Sequence, residues 1–372
     1  MESRIDGTFL PRRICPRTVT NSLKTLKKHQ DLLALEPFFL SYLLLPLGYT
    51  SALALLSAKA ETALVNGEPE KAIKLLSMAR KAPFLAMYRS MCEVNLITAA
   101  YAVENFELVE EVWACLEPKL ESLRPYAGSA LSSYAATLIG RGYYRKAEAL
   151  LRSPLQEPNR NQRPDNITVR CRALCRANLS SCLINRGRLQ EAQELLDSLD
   201  QECETSPVLK SLVIFLRAYT LYLDGALDAA RHTVAQINLK GLPLLYQAEL
   251  RYHYATLFAR CDDPQSADRV LSEVVWDTSS HRKLTRLRLV AMAEIASARG
   301  EDRTALSYYQ DLTRLGYRGA LTYLRAASLA SRHKQTELQR TFLEAAIYLD
   351  PESHWTTLAL NKLTPLLKED SA

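Results

Sequence analysis

Glycine is scarce in this sequence: there are 12 among 372 residues, about 3% where globular proteins average about 7%. That scarcity argues against β-rich folds, whose tight hairpins consume glycine, and against nucleotide binders built on glycine loops. Neither the P-loop pattern nor G-x-G-x-x-G occurs, and H-E-x-x-H and G-x-S-x-G are missing too. No Asn-Gly pair stands between alternating strands. The six histidines (His29, His232, His253, His281, His333 and His354) never fall in pairs at metal-ligand spacing. His253, within Arg251-Tyr252-His253-Tyr254, is the one tempting proton-transfer candidate, and without a pocket or carboxylate partner it reads as a partly exposed helix residue. No catalytic residues, no metal and no cofactor are therefore expected.

Eight cysteines at 15, 92, 115, 171, 175, 182, 203 and 261 form no paired framework. Cys171, Cys175 and Cys182 share one helical stripe and read as core thiols, which suits a reducing cytoplasm. A strong excess of either charge is lacking as well: 47 Lys and Arg against 41 Asp and Glu leave +6. This excess is too thin for nucleic acid to be the expected partner. The clusters Arg282, Lys283, Arg286, Arg288 and Arg170, Arg172, Arg176 are interrupted by apolar residues and read as solvated helix faces.

Apolar residues are plentiful: hydrophobic residues make up 48% of the chain, enough for a sizeable core. They recur with a period. A turn residue is followed five positions on by Ala and four positions later by a bulky apolar residue. The pattern reads Gly67…Ala72…Leu76, Gly142…Ala147…Leu151, Gly187…Ala192…Leu196, Gly225…Ala230…Val234 and Gly300…Ala305…Tyr309. Degenerate copies are Glu104…Val109…Trp113, Asp262…Ala267…Leu271 and Lys334…Gln339…Leu343. The turn positions 67, 104, 142, 187, 225, 262, 300 and 334 are 37, 38, 45, 38, 37, 38 and 34 apart. Upstream of each turn lies a second apolar stripe with a small residue at its centre, as at Ala135, Ser180, Ala218, Ala255, Ala293 and Ala327. Two short helices cannot bury both faces alone, so such units must stack into one elongated array.

These residues resemble the tetratricopeptide-repeat family. Its frame maps best onto Leu131, Tyr134, Ala135, Leu138, Ala147 and Leu151, and onto Tyr323, Ala326, Ala327, Ala330, Leu343, Ala346 and Pro351. The likeness covers about residues 53–351, lacks the family's first-helix Trp, and has a period three or four residues above the usual 34. It implies an all-α fold: a right-handed α-solenoid of about eight helix-turn-helix repeats with a C-terminal capping helix. Residues 1–50 then form a basic irregular tail and an apolar lead-in helix, 51–351 the array, and 352–372 a capping helix and tail. Pro154, Pro158 and Pro164 mark an exposed insertion loop over 153–170, which contains the glycosylation triplet Asn166-Ile167-Thr168. The uncharged run 38–58 is a buried lead-in, with a membrane anchor as the alternative.

In that family the first helix of each unit lines a concave groove. Carried over, the frame points to Thr98, Tyr101, Asn185, Phe215, Tyr219, Tyr222, Tyr252, Arg260, Glu294, Ser328 and Arg332. Tyr101, Asn185, Phe215, Tyr219, Tyr222, Tyr252 and Arg260 are the candidate partner-binding residues, since Tyr and Arg concentrate binding energy. Core packing between units is the competing account of the tyrosines. The implied protein is a non-catalytic interaction scaffold, adaptor or chaperone subunit of a larger complex, holding a peptide, helix or protein partner. A peptide-responsive regulator and a membrane-tethered scaffold are the alternatives.

Overall fold

The computed structural model describes residues 55–81, 86–123, 127–152, 166–203, 206–274 and 281–369. The basic tail, nearly all of the 38–58 run and residues 153–165 of the expected loop lie outside the described residues.

Among the described residues every regular element is helical and no strand occurs. The helices come in hairpins. α1 (55–65) pairs with α2 (Pro69–Arg80), α3 (Ala86–Ala102) with α4 (Phe106–Leu116), and a 3-10 segment follows at Glu117–Leu123. Then α5 (Ala127–Gly140) pairs with α6 (Tyr144–Leu151), and α7 (Asn166–Asn185) with α8 (Leu189–Asp197). After the one-turn α9 (Asp200–Cys203) come α10 (Pro207–Leu223) with α11 (Leu227–Ala235) and α12 (Leu244–Arg260) with α13 (Pro264–Ser272). The last pairs are α14 (Arg282–Ala298) with α15 (Asp302–Arg314) and α16 (Ala320–Arg332) with α17 (Thr336–Leu349), and α18 (His354–Glu369) packs on both of the latter.

All eight turn residues read from the periodicity adopt left-handed backbone, including the non-glycines Glu104, Asp262 and Lys334. The reason is local. Each first helix ends with the amide after the turn residue reaching back over a full turn, as in Tyr143 N–H to the Leu138 carbonyl at 2.9 Å and Arg188 N–H to the Leu183 carbonyl at 2.9 Å. This closure satisfies helix-end carbonyls only if the residue before it has positive φ. Proline at the first position of α2, α10 and α13 starts those helices without losing a bond.

The alanines at 72, 147, 192, 230, 267 and 305 are wholly buried, as are Ala135, Ser180, Ala218, Ala255 and Ala293. Small residues on both helices let the partners of a hairpin approach closely, and the larger Leu76, Leu151, Leu196 and Leu343 fill the space beyond. First helices also stack on first helices: α3 on α5, α5 on α7, α7 on α10, α10 on α12, and α12 on α14. Cys171, Cys175 and Cys182 are buried in this band, and burial pushes the thiols of Cys175 and Cys182 up to about 12.

Two expectations are amended. Helix α7 begins at Asn166, so 166–170 is helical and the glycosylation triplet forms its first turn rather than part of a loop. The array is also not an open ladder, because its two halves meet. Glu104 is ion-paired to Arg286, Arg318 donates to the Arg141 carbonyl, and the Arg145 N–H donates to Glu352 Oε2 at 2.7 Å. Asn185 accepts at its carbonyl from Ser353 Oγ at 3.4 Å. The last units thus lie against the second, third and fourth hairpins.

Candidate functional site

A partly open central cavity of about 630 Å³ is lined chiefly by the inward faces of α1, α3, α5, α7, α10, α12 and α14, by residues 317–322 and by Asp350 and Trp355. One wall is small and polar. Thr98 Oγ1 and Ser133 Oγ are 3.1 Å apart, and Asn178 Nδ2 donates to the carbonyl and the hydroxyl of Ser132 at 3.0 Å each. Asn185 continues this wall, its amide donating to the Ser181 carbonyl at 2.9 Å.

The wall formed by α10 and α12 is aromatic. Phe215 stacks on Tyr219 at 6.0 Å, Tyr219 on Tyr222 at 6.1 Å, and Phe215 also meets His253 at 5.1 Å. The spacing of Phe215 and Tyr219 places both rings one above the other on a single helix face. Burial holds His253 down at about 4, with Lys283 and Arg260 adding to the effect and Glu249 opposing it. His253 is thus neutral near pH 7.

Tyr101 enters from the facing side. A methyl group on Gly140 would come within 2.5 Å of the Tyr101 hydroxyl, so this close approach needs glycine there. The Lys283 ammonium lies 4.5 Å from the Tyr101 ring centre and 2.6 Å from Glu249 Oε1. Burial opposes both charges, yet their mutual attraction outweighs it: Lys283 is held above its ordinary range and Glu249 below. Deeper along α12, Arg260 donates from Nε and Nη2 to Glu294 Oε1 at 3.0 and 2.8 Å, and from Nη2 to Thr322 Oγ1 at 3.0 Å. Arg325 donates to the other oxygen, Oε2, at 2.7 Å.

Of the candidate residues, Tyr101, Asn185, Phe215, Tyr219 and Arg260 line the cavity together, with Thr98 beside them. Tyr222 stands behind the wall, its hydroxyl accepting from Arg325 Nη1 at 3.4 Å. Tyr252 lies in the core with Ala248, Leu284 and Leu287. Glu294 is fully buried beneath Arg260, while Ser328 and Arg332 are exposed.

Lys283, Glu249, Tyr246 and Tyr317 also line the cavity, and the sequence reading missed them. Lys283 and Arg286 belong to a cluster read as solvated, and the correction is geometric: these two turn inward, whereas Arg282 and Arg288 of the same helix are exposed. The i, i+3 spacing of 283 and 286 was the available signal. Likewise His253 has the cavity and the neighbouring carboxylate that its motif alone did not reveal. Among the described residues no three His, Cys, Asp or Glu side chains converge as for a metal ion, and no helix is long and apolar enough to cross a membrane.

No family model matches this chain, and no curated protein matches it.

Proposed function

We propose that this chain is a non-catalytic, tetratricopeptide-like α-solenoid of eight helical hairpins that holds a short peptide segment of a partner protein in its central cavity. The observation that carries this reading is the pairing of an aromatic wall (Phe215, Tyr219) with a wall of amides and hydroxyls (Thr98, Ser133, Asn178, Asn185) around about 630 Å³. Stacked rings supply apolar area, and the polar wall supplies donors and acceptors for a peptide backbone. The volume falls within the 300–1,000 Å³ range of small-ligand sites, which favours a few residues of extended chain over a folded partner. Scaffold, adaptor and chaperone roles all follow from such a grip, and the buried thiols of Cys92, Cys175, Cys182 and Cys261 accord with a reducing cytoplasm.

The test is affinity selection of randomised N-acetyl tripeptides on the purified protein. Retention by the native chain, lost in Phe215→Ala and Asn178→Ala, is the expected result; a chain that retains no peptide overturns the reading.

The meeting of the two halves favours a second role, that of a regulator whose array tightens on its peptide. Small-angle scattering with and without the selected peptide distinguishes a rigid scaffold, whose dimensions stay constant, from an array that compacts.

A further inference from the structure

The array is held together in two different ways. Consecutive hairpins pack helix along helix through apolar cores, but the core that runs from Ala60 to Leu216 and the one that runs from Val290 to Leu363 have no residue in common. Where the second to fourth hairpins meet the last two hairpins and α18, the contacts are polar. Glu104 pairs with Arg286, Arg318 donates to the Arg141 carbonyl, Ser353 Oγ donates to the Asn185 carbonyl, and the Lys283 ammonium lies over the Tyr101 ring. The Arg145 N–H stands in the first turn of α6, where no carbonyl of that helix reaches it, and Glu352 caps it from across the seam.

Two buried groups in the seam are left unsatisfied. Asp350 is 1% exposed; its Oδ2 accepts from the Ala320 N–H at 3.1 Å, the Tyr144 phenol stands beside the carboxylate, and Oδ1 finds no donor among the described residues. A methyl on Gly142 would lie 3.1 Å from that Oδ1, so the carboxylate is pressed against the turn of the third hairpin. Arg286 Nε is buried without a partner as well. Water would satisfy both groups once the seam parts, which offsets part of the contact energy lost. An apolar interface has no such compensation, so the array opens most readily here.

We infer that this seam is a gate: the last two hairpins and α18 swing away from the second to fourth hairpins and admit an internal segment of the partner sideways into the cavity. Glu104, Arg286, Arg318 and Asp350 line that cavity, so parting them widens it along one side. The inference rests on the peptide reading above and adds the kind of segment taken, one flanked by folded chain on both sides, which cannot thread in end first.

A disulfide across the seam tests the gate. A methyl at Gly187 would lie 3.1 Å from His354 Cβ, a little short of the usual disulfide spacing, so Gly187→Cys with His354→Cys joins the fourth hairpin to α18. Amide hydrogen exchange at Arg145 is compared in the reduced and oxidised forms, and oxidation is expected to slow it at least tenfold. Glu104→Gln, which weakens the seam at another point, is expected to speed Arg145 exchange at least threefold and keeps the test valid should the double variant fail to fold. Loading is read with randomised tripeptides held in a surface loop of a small folded carrier, beside the same pool as free N-acetyl tripeptides. The reduced protein is expected to retain both, and the oxidised protein only the free peptides. Arg145 exchange that neither change alters, or looped segments retained equally by both forms or by neither, overturns the gate and leaves the peptide reading standing. Retention of neither pool by the native chain overturns the peptide reading and the loading role with it.

Discussion

Glu104, in the turn between α3 and α4, is ion-paired to Arg286 of α14, 182 positions further along the chain. Both side chains are largely buried, so the pair is shielded from salt better than a surface bridge. It joins the Arg318, Glu352 and Ser353 contacts in one seam along the cavity.

Reversing either charge should therefore open the seam. Glu104→Arg or Arg286→Glu is expected to raise the radius of gyration in small-angle scattering and to cost about 3 kcal/mol, since two like charges then face each other where an ion pair was largely buried. The double reversal restores both. Identical scattering from all four proteins would show that the seam does not hold the halves together.

Glu294→Gln removes the carboxylate that Arg260 and Arg325 share. Burial alone would raise the Glu294 carboxyl, but the two guanidiniums hold it below its ordinary range. Leaving two cations face to face is expected to cost about 3–5 kcal/mol in urea unfolding. A loss under 1 kcal/mol would mean that solvent already screens the trio.

His253 gives the fold an acid sensitivity above the carboxylate range. Burial is the main cause of its depression to about 4; Lys283 and Arg260 reinforce it, and Glu249 works against it. The unfolded chain takes up the proton near 6.5 and the folded one near 4, so stability is complete above 6.5 and declines as pH falls through that window. Glu249 and Glu294, both lowered from 4.5, contribute their own loss only below that value. Thermal midpoints should fall between pH 6.5 and 5 in the native chain and stay more nearly level in His253→Gln.

Two turn glycines separate backbone strain from packing. Gly225 has φ of +84° and nothing within 4 Å of an added methyl, whereas at Gly187, with φ of +75°, a methyl would lie 2.7 Å from His354 Cγ. Gly225→Ala should cost about 1 kcal/mol for left-handed backbone alone. Gly187→Ala should cost about 1–3 kcal/mol more, and His354→Ala should remove that excess in a double-mutant cycle. Equal costs at the two turns would place α18 away from the fourth hairpin.

The periodic positions were legible because they are local. A left-handed turn residue is demanded by each hairpin on its own, and even Glu104, Asp262 and Lys334 adopt it; a buried alanine follows five positions later at six of the eight turns, with buried Val109 and half-buried Gln339 at the other two. Orientation toward the cavity was less legible. Phe215 and Tyr252 both stand ten positions before their turn residues, Gly225 and Asp262, yet Phe215 lines the cavity and Tyr252 is core. Equal spacing from the turn therefore does not decide which face of a helix meets the cavity.

Helix, turn and the small-residue contacts within a hairpin were therefore determined by the sequence alone, because each depends on bonds and side chains a few residues apart. The cavity, the inward turn of Lys283, the shared carboxylate of Glu294 and the pairing of Glu104 with Arg286 were decided only by the tertiary structure. They depend on contacts between side chains more than thirty positions apart, which spacing along a single helix does not record.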